Sequence, residues 1–268
     1  MSYLFGFIGT GNMGSALARA ARRATDSIIL SNRTEQKARD LAMEIGAASG
    51  SVRQVAMSSR YLFLGVKPQM MRALLQEIAE VLADRDDVPV LVSMAAGLTT
   101  DAIRSYAGGD YPVIRIMPNT PVSVGEGEIL YCTTPDISGE QLTLFLDTMR
   151  YSGTLTLLTE RLMDAGTSVS GCGPAFVYMF IRALAKGGVD AGIDEATSLQ
   201  LAAQTVIGAG RLLQDSSEPP DMLIDRVCSP GGSTIEGVRS LEQDDMEQIV
   251  SRAVAAAYRR NRELSAEN

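Results

Sequence analysis

The chain has 268 residues, of which 46% are hydrophobic, so it can bury one large core or two ordinary ones, which argues against disorder. Its formal net charge of -8 argues against nucleic acids and anionic membranes as partners, because both recruit clustered basic residues. The absence of histidine excludes Ser-His-Asp and Cys-His catalysis and most histidine-containing zinc sites, and no metal site is predicted. Reactions whose difficult step is carried out by an organic cofactor remain possible without histidine.

Short β-rich runs alternate with helical patterns over the first part of the chain. The predicted strands are residues 3–8, 28–31, 61–66, 90–94, 113–117, 128–131 and 154–157. Between them the hydrophobic residues follow the helical period, most clearly in residues 70–82. This alternation predicts a mostly parallel, doubly wound α/β sheet covered by helices over residues 1–159.

The second part of the chain loses the β pattern. Its predicted helices are residues 160–168, 174–191, 195–213, 222–227, 234–241 and 246–264. Several of them are apolar around much of their circumference and rich in small residues, as in residues 199–213. Such helices must bury more apolar surface than a domain of about half the chain can cover by itself. We therefore expect residues 160–268 to form an all-α domain that dimerises.

A glycine-rich segment, Gly9-Thr10-Gly11-Asn12-Met13-Gly14, directly follows the first predicted strand and begins a predicted helix. In this context the G-x-G-x-x-G pattern indicates a Rossmann dinucleotide site. Gly9 permits the tight turn, Gly11 lets the backbone approach a pyrophosphate, and Gly14 packs helix on strand. The amides at the start of the helix supply hydrogen-bond donors for the phosphates.

The end of the second predicted strand, Ser31-Asn32-Arg33-Thr34, contains no acidic residue. An NAD-specific site usually places an acid here to bind the ribose hydroxyls. Arg33 can instead meet a 2′-phosphate, with Ser31, Asn32 and Thr34 as further donors. The segment therefore favours NADPH over NADH, and the alternative is a solvated surface arginine.

Three further segments at strand ends fall where open α/β sheets bind ligands. They are Val66-Lys67-Pro68, Ala95-Ala96-Gly97 and the loop that contains Asn119. The small Ala96 and Gly97 allow close backbone approach, and Asn119 can hydrogen-bond a carboxamide or the substrate. We expect these segments to line the nicotinamide side of the site, with ordinary turn chemistry as the alternative.

A second ligand-binding motif is predicted in the helical half, where Ser229-Pro230-Gly231-Gly232-Ser233-Thr234 precedes a helix. Backbone amides at Gly232, Ser233 and Thr234 can hold a carboxylate. The Thr234 hydroxyl can both cap the helix and reach the ligand, although capping alone would explain it.

Taken together and in order, these motifs resemble the pyrroline-5-carboxylate reductases along essentially the whole chain. The resemblance is carried by Gly9 to Gly14, Val66-Lys67-Pro68, Ser93 to Gly97, Arg115 to Pro121, Ser170 to Phe176 and Ser229 to Thr234.

The resemblance implies that the chain reduces L-1-pyrroline-5-carboxylate to L-proline with NADPH or NADH, the last step of proline biosynthesis. It also implies that the substrate carboxylate rests on Gly232, Ser233 and Thr234, that Thr234 is the catalytic residue near the ring nitrogen, and that Ala95 and Ala96 lie beside the nicotinamide. Ser229, Gly231 and Arg226 are carried over as substrate contacts, although the family commonly has an uncharged polar residue in place of Arg226. Family members form interlocked homodimers through their helical domains, often assembled into rings.

Two other functions remain open at this point. A β-hydroxyacid dehydrogenase shares the layout, but it uses a lysine on the helix after the interdomain segment. The first lysine on that helix here is Lys186, more than a turn too late. A dinucleotide sensor without catalysis would need no second ligand motif, so residues 229–234 count against it.

The sequence also carries expectations about location. No basic leader precedes the first strand, and no uninterrupted apolar run reaches the roughly 18 residues of a spanning helix. The chain has three cysteines, Cys132, Cys172 and Cys228, an odd number whose spacing matches no zinc or redox motif. We expect a cytoplasmic protein with no membrane segment.

Overall fold

The computed structural model describes residues 2–267. Two compact units divide the chain, one containing the residues up to Cys172 together with the segment that begins at Ala257, and the other Gly173–Ala256. The strands are β1 (Tyr3–Ile8), β2 (Ile28–Ser31), β3 (Ala48–Ser49), β4 (Ser59–Leu64), β5 (Val90–Ser93), β6 (Val113–Pro118), β7 (Gly127–Thr133) and β8 (Gly153–Leu157).

The strands form an 8-stranded sheet in the order β3-β2-β1-β4-β5-β6-β7-β8. Neighbouring strands are parallel except for β6 and β7, which are antiparallel. The predicted Rossmann-type, mostly parallel sheet is confirmed, and every predicted strand is present. No pattern in the sequence predicts β3, because a strand of 2 residues has no alternation to recognise.

The helices of the first unit are α1 (Asn12–Arg22), α2 (Glu35–Ile45), α3 (Val52–Ser58), α4 (Pro68–Ala83), α5 (Thr100–Ala107), α6 (Gly139–Met149) and α7 (Met163–Gly166). Short 3₁₀ helices occupy Thr120–Val124, Arg150–Ser152 and Glu160–Leu162, and a π-helix occupies Thr167–Gly171. The sequence predicted one α-helix over residues 160–168, where three helix types follow one another. The second unit begins with α8 (Gly173–Asp190), α9 (Glu195–Asp215), α10 (Pro220–Val227) and α11 (Ser233–Gln243), and α12 (Met246–Glu267) follows.

The core of the first unit lies on both faces of the sheet, because alternate strand residues point to opposite sides. One face carries a contacting aromatic cluster of Phe5, Phe7, Tyr61, Phe63 and Phe145. On the other face, Leu62 and Leu64 of β4 form one core cluster with Met71 and Leu75 of α4 and Ile103 of α5. Each fully buried side chain of this size contributes about 1.5–3 kcal/mol, so the first unit has a substantial core of its own.

The second unit has almost no core of its own. Among residues 173–256 only Ala185, Ser198 and Ala202 are buried. Large apolar side chains on α8 and α9 are exposed to solvent, among them Tyr178 and Met179. A helix with this much apolar surface needs a cover that the single chain does not supply.

One helical stretch, Glu160–Asp190, is long and apolar enough to cross a membrane by length and composition alone. Its mean hydropathy is 1.2 and 11% of the apolar window is buried. A helix that packs in a protein interface meets the same criterion, so the expected absence of a membrane segment stays a prediction.

Candidate functional site

The glycine-rich turn lies where three parallel strands end side by side. The Gly9 amide donates to the Ser31 carbonyl at 2.8 Å, and the Gly65 amide donates to the Ile8 carbonyl at 2.7 Å. Gly9 has φ +101°, and a Cβ atom added there would lie 2.4 Å from the Gly65 carbonyl oxygen. Only glycine fits a left-handed conformation with backbone this close, so the sequence fixes the turn at the edge shared by β1, β2 and β4.

The N-terminus of α1 faces open space. Gly11 is its N-cap, and no side chain in the described part of the chain caps the helix. A Cβ at Gly11 would meet nothing within 4 Å, whereas a Cβ at Gly14 would lie 2.1 Å from the Gly9 carbonyl oxygen. The first amides of an α-helix lack intrahelical partners, so uncapped amides beside open space form an anion site. This local geometry fits the pyrophosphate of a dinucleotide.

Asn32 holds the two phosphate-side turns together. Its Oδ1 accepts a hydrogen bond from the Thr10 amide at 3.2 Å, and its Nδ2 donates to the Thr34 carbonyl at 3.2 Å. Ser31 is buried, whereas Arg33 and Thr34 are exposed. Of the four residues predicted to meet a 2′-phosphate, Arg33 and Thr34 are therefore the accessible ones, and the amide of Asn32 is engaged by the backbone.

A groove of about 520 Å³ runs from this turn along α1 and α2. It is lined by Thr10, Gly11, Asn12, Ser15, Ala16, Arg19, Lys37, Asp40, Leu41, Glu44 and Ser123. Lys37 is not among the residues predicted from the sequence. The helical period of α2 could have indicated it, since Lys37 lies one turn before Leu41, which packs against the core.

The other predicted loops follow neighbouring strands at the same edge of the sheet. Lys67 is the N-cap of α4 and is exposed, and Pro68 is the first residue of that helix. In the loop after β5, Ala95 is buried, Ala96 is exposed and Gly97 has φ +77°. The carboxyl ends of parallel strands share one edge, so these loops and the glycine-rich turn lie on the same side of the sheet.

Asn119 is 8% exposed, and both ends of its amide are engaged. Its Oδ1 accepts from the Glu128 amide at 2.8 Å, and its Nδ2 donates to the Ser170 carbonyl at 3.0 Å. Ser170 belongs to the π-helix, so Asn119 connects that helix to the sheet. Each end of the amide keeps one further hydrogen-bonding position, and the predicted contact with the carboxamide or substrate stays a prediction.

A charge network around one buried arginine lies beside the strand ends. Arg115 on β6 is 3% exposed and pairs with Glu160 at 3.3 Å and with Asp164 at 3.6 Å. Glu160 also accepts from the Thr100 amide at 2.7 Å and from its hydroxyl at 3.0 Å, at the start of α5. Burial, with a further contribution from the Glu160 charge, raises the pKa of the neighbouring Cys132 thiol to about 11. That thiol is therefore neutral and is not a nucleophile.

The predicted substrate motif lies in the second unit. Gly231 has φ +73°, and the Gly232 amide donates to the Ser229 carbonyl at 3.0 Å, which forms the turn. Gly232 is the N-cap of α11 and no side chain caps this helix within the described residues. The prediction that Thr234 caps the helix is therefore wrong, because Thr234 is already its second residue. Ser233 and Thr234 are exposed, and their amides belong to an uncapped first turn.

Arg226 lies on α10, one helix before this motif. Its guanidinium pairs with Glu218 at 2.5 Å while the arginine side chain stays 64% exposed. The pair engages one nitrogen of the guanidinium, and a substrate contact by Arg226 stays a prediction.

Two family models match the chain. Residues 160–264 match the pyrroline-5-carboxylate reductase dimerisation model, and residues 4–97 match the model described as NADP oxidoreductase, coenzyme F420-dependent. The pyrroline-5-carboxylate reductase of Synechocystis sp. is 37% identical over 98% of this chain and 99% of its own length. The enzyme of Aquifex aeolicus is 34% identical over 97% of this chain and 96% of its own.

Solved structures show the same relation. A pyrroline-5-carboxylate reductase from Coxiella burnetii superposes with a TM-score of 0.91 at 27% identity, covering 98% of this chain and 99% of its own. The Plasmodium falciparum pyrroline carboxylate reductase, solved with NADP bound, superposes with a TM-score of 0.83 at 29% identity, covering 98% of each chain. The chain belongs to the pyrroline-5-carboxylate reductase family.

Proposed function

We propose that this chain reduces L-1-pyrroline-5-carboxylate to L-proline with NADPH. The assignment of the cofactor rests on the uncapped start of α1, where Gly11 faces open space and Gly14 packs against the Gly9 carbonyl. The assignment of the substrate rests on similarity to the family along the whole chain.

The glycine-rich turn binds the pyrophosphate through the first amides of α1. Arg33 and Thr34 are exposed at the end of β2, where the adenosine ribose of a dinucleotide lies. Ala96 and Gly97, at the end of β5, leave room for a flat ring to approach the backbone. When bound, NADPH supplies the hydride that reduces the carbon of the C=N bond, and the ring nitrogen takes its proton from water or is already protonated.

The first turn of α11 binds the substrate carboxylate in this proposal. Amides of an uncapped helix start carry partial positive charge and are directed outward, which suits an anion. The Thr234 hydroxyl does not cap its own helix, so it is free to position the ring nitrogen. An imine accepts hydride without a strong acid, which agrees with a chain that contains no histidine.

Replacing Thr234 with valine is expected to lower kcat/KM for the imine by removing about 1–3 kcal/mol of transition-state stabilisation. Valine keeps the shape and removes the hydroxyl. The measurement is the rate of NADPH oxidation by purified protein with pyrroline-5-carboxylate. Thr234→Ser keeps the hydroxyl and is expected to recover most of the rate.

Unchanged kcat/KM in Thr234→Val would remove the hydroxyl from the mechanism. The same assay with 3-hydroxyisobutyrate and NADP tests the dehydrogenase alternative. No turnover of the imine by wild type, with NADPH binding intact, would refute the reductase and leave the dehydrogenase or the sensor.

We infer that the second unit associates with a second copy of the chain, as the name of the matching dimerisation model indicates. Apolar side chains on α8 and α9 are about half exposed, including Tyr178 at 60% and Ile207 at 50%. Burying these side chains against a second copy would stabilise the dimer by about 25 cal/mol for each Å² of apolar surface removed from water. Homodimers could assemble further into rings, as the family resemblance implies.

Sedimentation of the purified chain is expected to give at least twice the 28.6 kDa mass of one copy without detergent. The double variant Tyr178→Asp, Ile207→Asp is expected to shift the protein toward monomer, because two carboxylates cannot be buried unpaired. Val88→Asp is the control, since Val88 is 62% exposed and lies in the first unit. Wild type that stays at the mass of one copy, or that requires detergent to stay in solution, would contradict the dimer.

We also infer a cytoplasmic location. All three cysteines are free thiols, which suits a reducing compartment.

A further inference from the structure

The loop that joins β5 to α5 presents one small side chain to solvent at the edge of the sheet. Ala95 is buried and its amide donates to the Ser93 hydroxyl at 3.4 Å, and Leu98 is buried in the core. Between them Ala96 is exposed and Gly97 has φ +77°. The loop is therefore attached to the core on both sides of Ala96.

The α5 end of this loop is held by a carboxylate from a distant part of the chain. Thr99 is the N-cap of α5, and its side chain accepts from the Ala102 amide. The next residue, Thr100, donates its amide to Glu160 at 2.7 Å and its hydroxyl to the other carboxylate oxygen at 3.0 Å. The first amides of a helix lack intrahelical partners and carry partial positive charge, so a carboxylate stabilises them. Glu160 therefore acts as a second cap of α5.

Glu160 is in turn held by Arg115 of β6, the strand beside β5, at 3.3 Å. Asp164 is the second carboxylate on this arginine, at 3.6 Å, and it also accepts from the Ser265 hydroxyl at 2.9 Å. Within the described residues Asp164 forms no hydrogen bond with Thr100. The two carboxylates thus share one cation, and the contact with α5 belongs to Glu160.

The place of the Ala96 loop matters for the reaction proposed above. A dinucleotide held at the start of α1 places its adenosine half over β2 and its nicotinamide half on the other side of β1, toward β4 and β5. Hydride transfer needs reacting carbons about 3–3.5 Å apart, and a misplacement of about 1 Å can cost about 100-fold in rate. The pyrophosphate is bound by a different turn, so a shift of this loop should change the placement of the ring more than the affinity for the cofactor.

We propose that Glu160 is a positioning residue for hydride transfer. By capping α5 through Thr100, it fixes the loop at Ala96 against which the nicotinamide ring lies. This role rests on the proposed function and is assigned to a residue that acts on the ring through the loop. It predicts a loss of kcat without a matching loss of NADPH affinity.

The test compares Glu160→Ala with Asp164→Ala. Each variant removes one carboxylate that pairs with Arg115, and Glu160→Ala also removes the bonds from Thr100. Three quantities are measured: kcat with pyrroline-5-carboxylate, the Kd of NADPH by nicotinamide fluorescence, and the kinetic isotope effect with NADPH deuterated at the transferred hydrogen. The isotope effect reports how far hydride transfer limits turnover, which a loss of stability alone does not change.

We expect Glu160→Ala to lower kcat by about 10-fold to 100-fold, to raise the isotope effect and to leave the Kd of NADPH within about 2-fold. Asp164→Ala should lower the melting temperature and keep kcat and the isotope effect of wild type. An equal loss of kcat in both variants would overturn the proposal, because the network as a whole rather than the contact with Thr100 would then be responsible. Unchanged kcat in Glu160→Ala, or a loss of NADPH affinity as large as the loss of kcat, would overturn it as well.

A smaller change decides the matter if Glu160→Ala does not fold. Thr100→Val keeps the shape and removes the hydroxyl that donates to Glu160, so kcat should fall by about 3-fold to 10-fold at unchanged NADPH affinity. Thr100→Ser keeps the hydroxyl and should recover kcat. Wild-type kcat and isotope effect in Thr100→Val would overturn the proposal.

The outcomes also separate this proposal from the proposed function. Wild type that does not turn over the imine would refute the reductase, and the role of Glu160 with it. Wild type that turns over the imine, together with variants that match it, would refute the role of Glu160 alone.

Discussion

Replacing Gly14 with alanine is expected to weaken NADPH binding by about 100-fold or more. The added Cβ would lie 2.1 Å from the Gly9 carbonyl oxygen, and both groups belong to backbone that cannot rotate away. Either α1 moves off the sheet or the turn at Gly9 opens, and both changes displace the amides that bind the pyrophosphate. Displacement of a binding group by about 1 Å is enough for a loss of this size.

The matched control is Gly139→Ala, also in the first unit. Gly139 is the first residue of α6, and an added Cβ would meet nothing within 4 Å. We expect this variant to bind NADPH as wild type does and to be slightly more stable, because alanine has less backbone freedom to lose. Binding is measured by nicotinamide fluorescence and folding by circular dichroism. NADPH affinity retained in Gly14→Ala would contradict the assignment of this turn to the pyrophosphate.

The sheet and the glycine-rich turn could be predicted because their signals are local. The apolar run of β1 and the spacing of Gly9 to Gly14 depend on residues close in sequence, and the structure places them as expected. The short β3 escaped because its 2 residues are held by pairing with β2 rather than by their own pattern. The π-helix at Thr167–Gly171 escaped for a similar reason, since its Ser170 carbonyl is bound by Asn119 from 51 residues away.

The side-chain roles in the candidate site were harder to predict, because they depend on partners that the sequence does not bring together. Asn32 and Asn119 have the right chemistry for ligand contacts, yet both amides are engaged by backbone groups. Lys37 looks like a solvated helix residue until α1 packs beside it and forms the groove. Thr234 was expected at a cap, but Gly232 occupies that position. Residue type indicated the chemistry, and tertiary packing decided which groups are free.

Replacing Arg115 with methionine is expected to destabilise the protein by about 1.5–3 kcal/mol. Arg115 is 3% exposed and is the cation between Glu160 and Asp164. Methionine fills a similar volume but leaves the two partly exposed carboxylates without their positive partner, and losing hydrogen bonds to charged groups carries a penalty of this size. Glu160 also binds the start of α5, so the loop at Ala96 that precedes this helix should lose order with it.

Denaturant unfolding at a fixed protein concentration measures this effect, because association with a second copy changes apparent stability. Arg39→Met is the control for an exposed ion pair and should change the free energy of unfolding by less than about 1 kcal/mol. The double variant Arg115→Met, Glu160→Gln also removes one of the two unpaired negative charges. It should recover at least about 1 kcal/mol of the lost free energy of unfolding, which is the size of the interaction energy between contacting residues. A loss below about 1 kcal/mol in Arg115→Met, or no recovery in the double variant, would mean that water rather than Arg115 stabilises these carboxylates. Arg115 would then have no part in holding the start of α5, and the hydrogen bonds from Thr100 to Glu160 alone would do so.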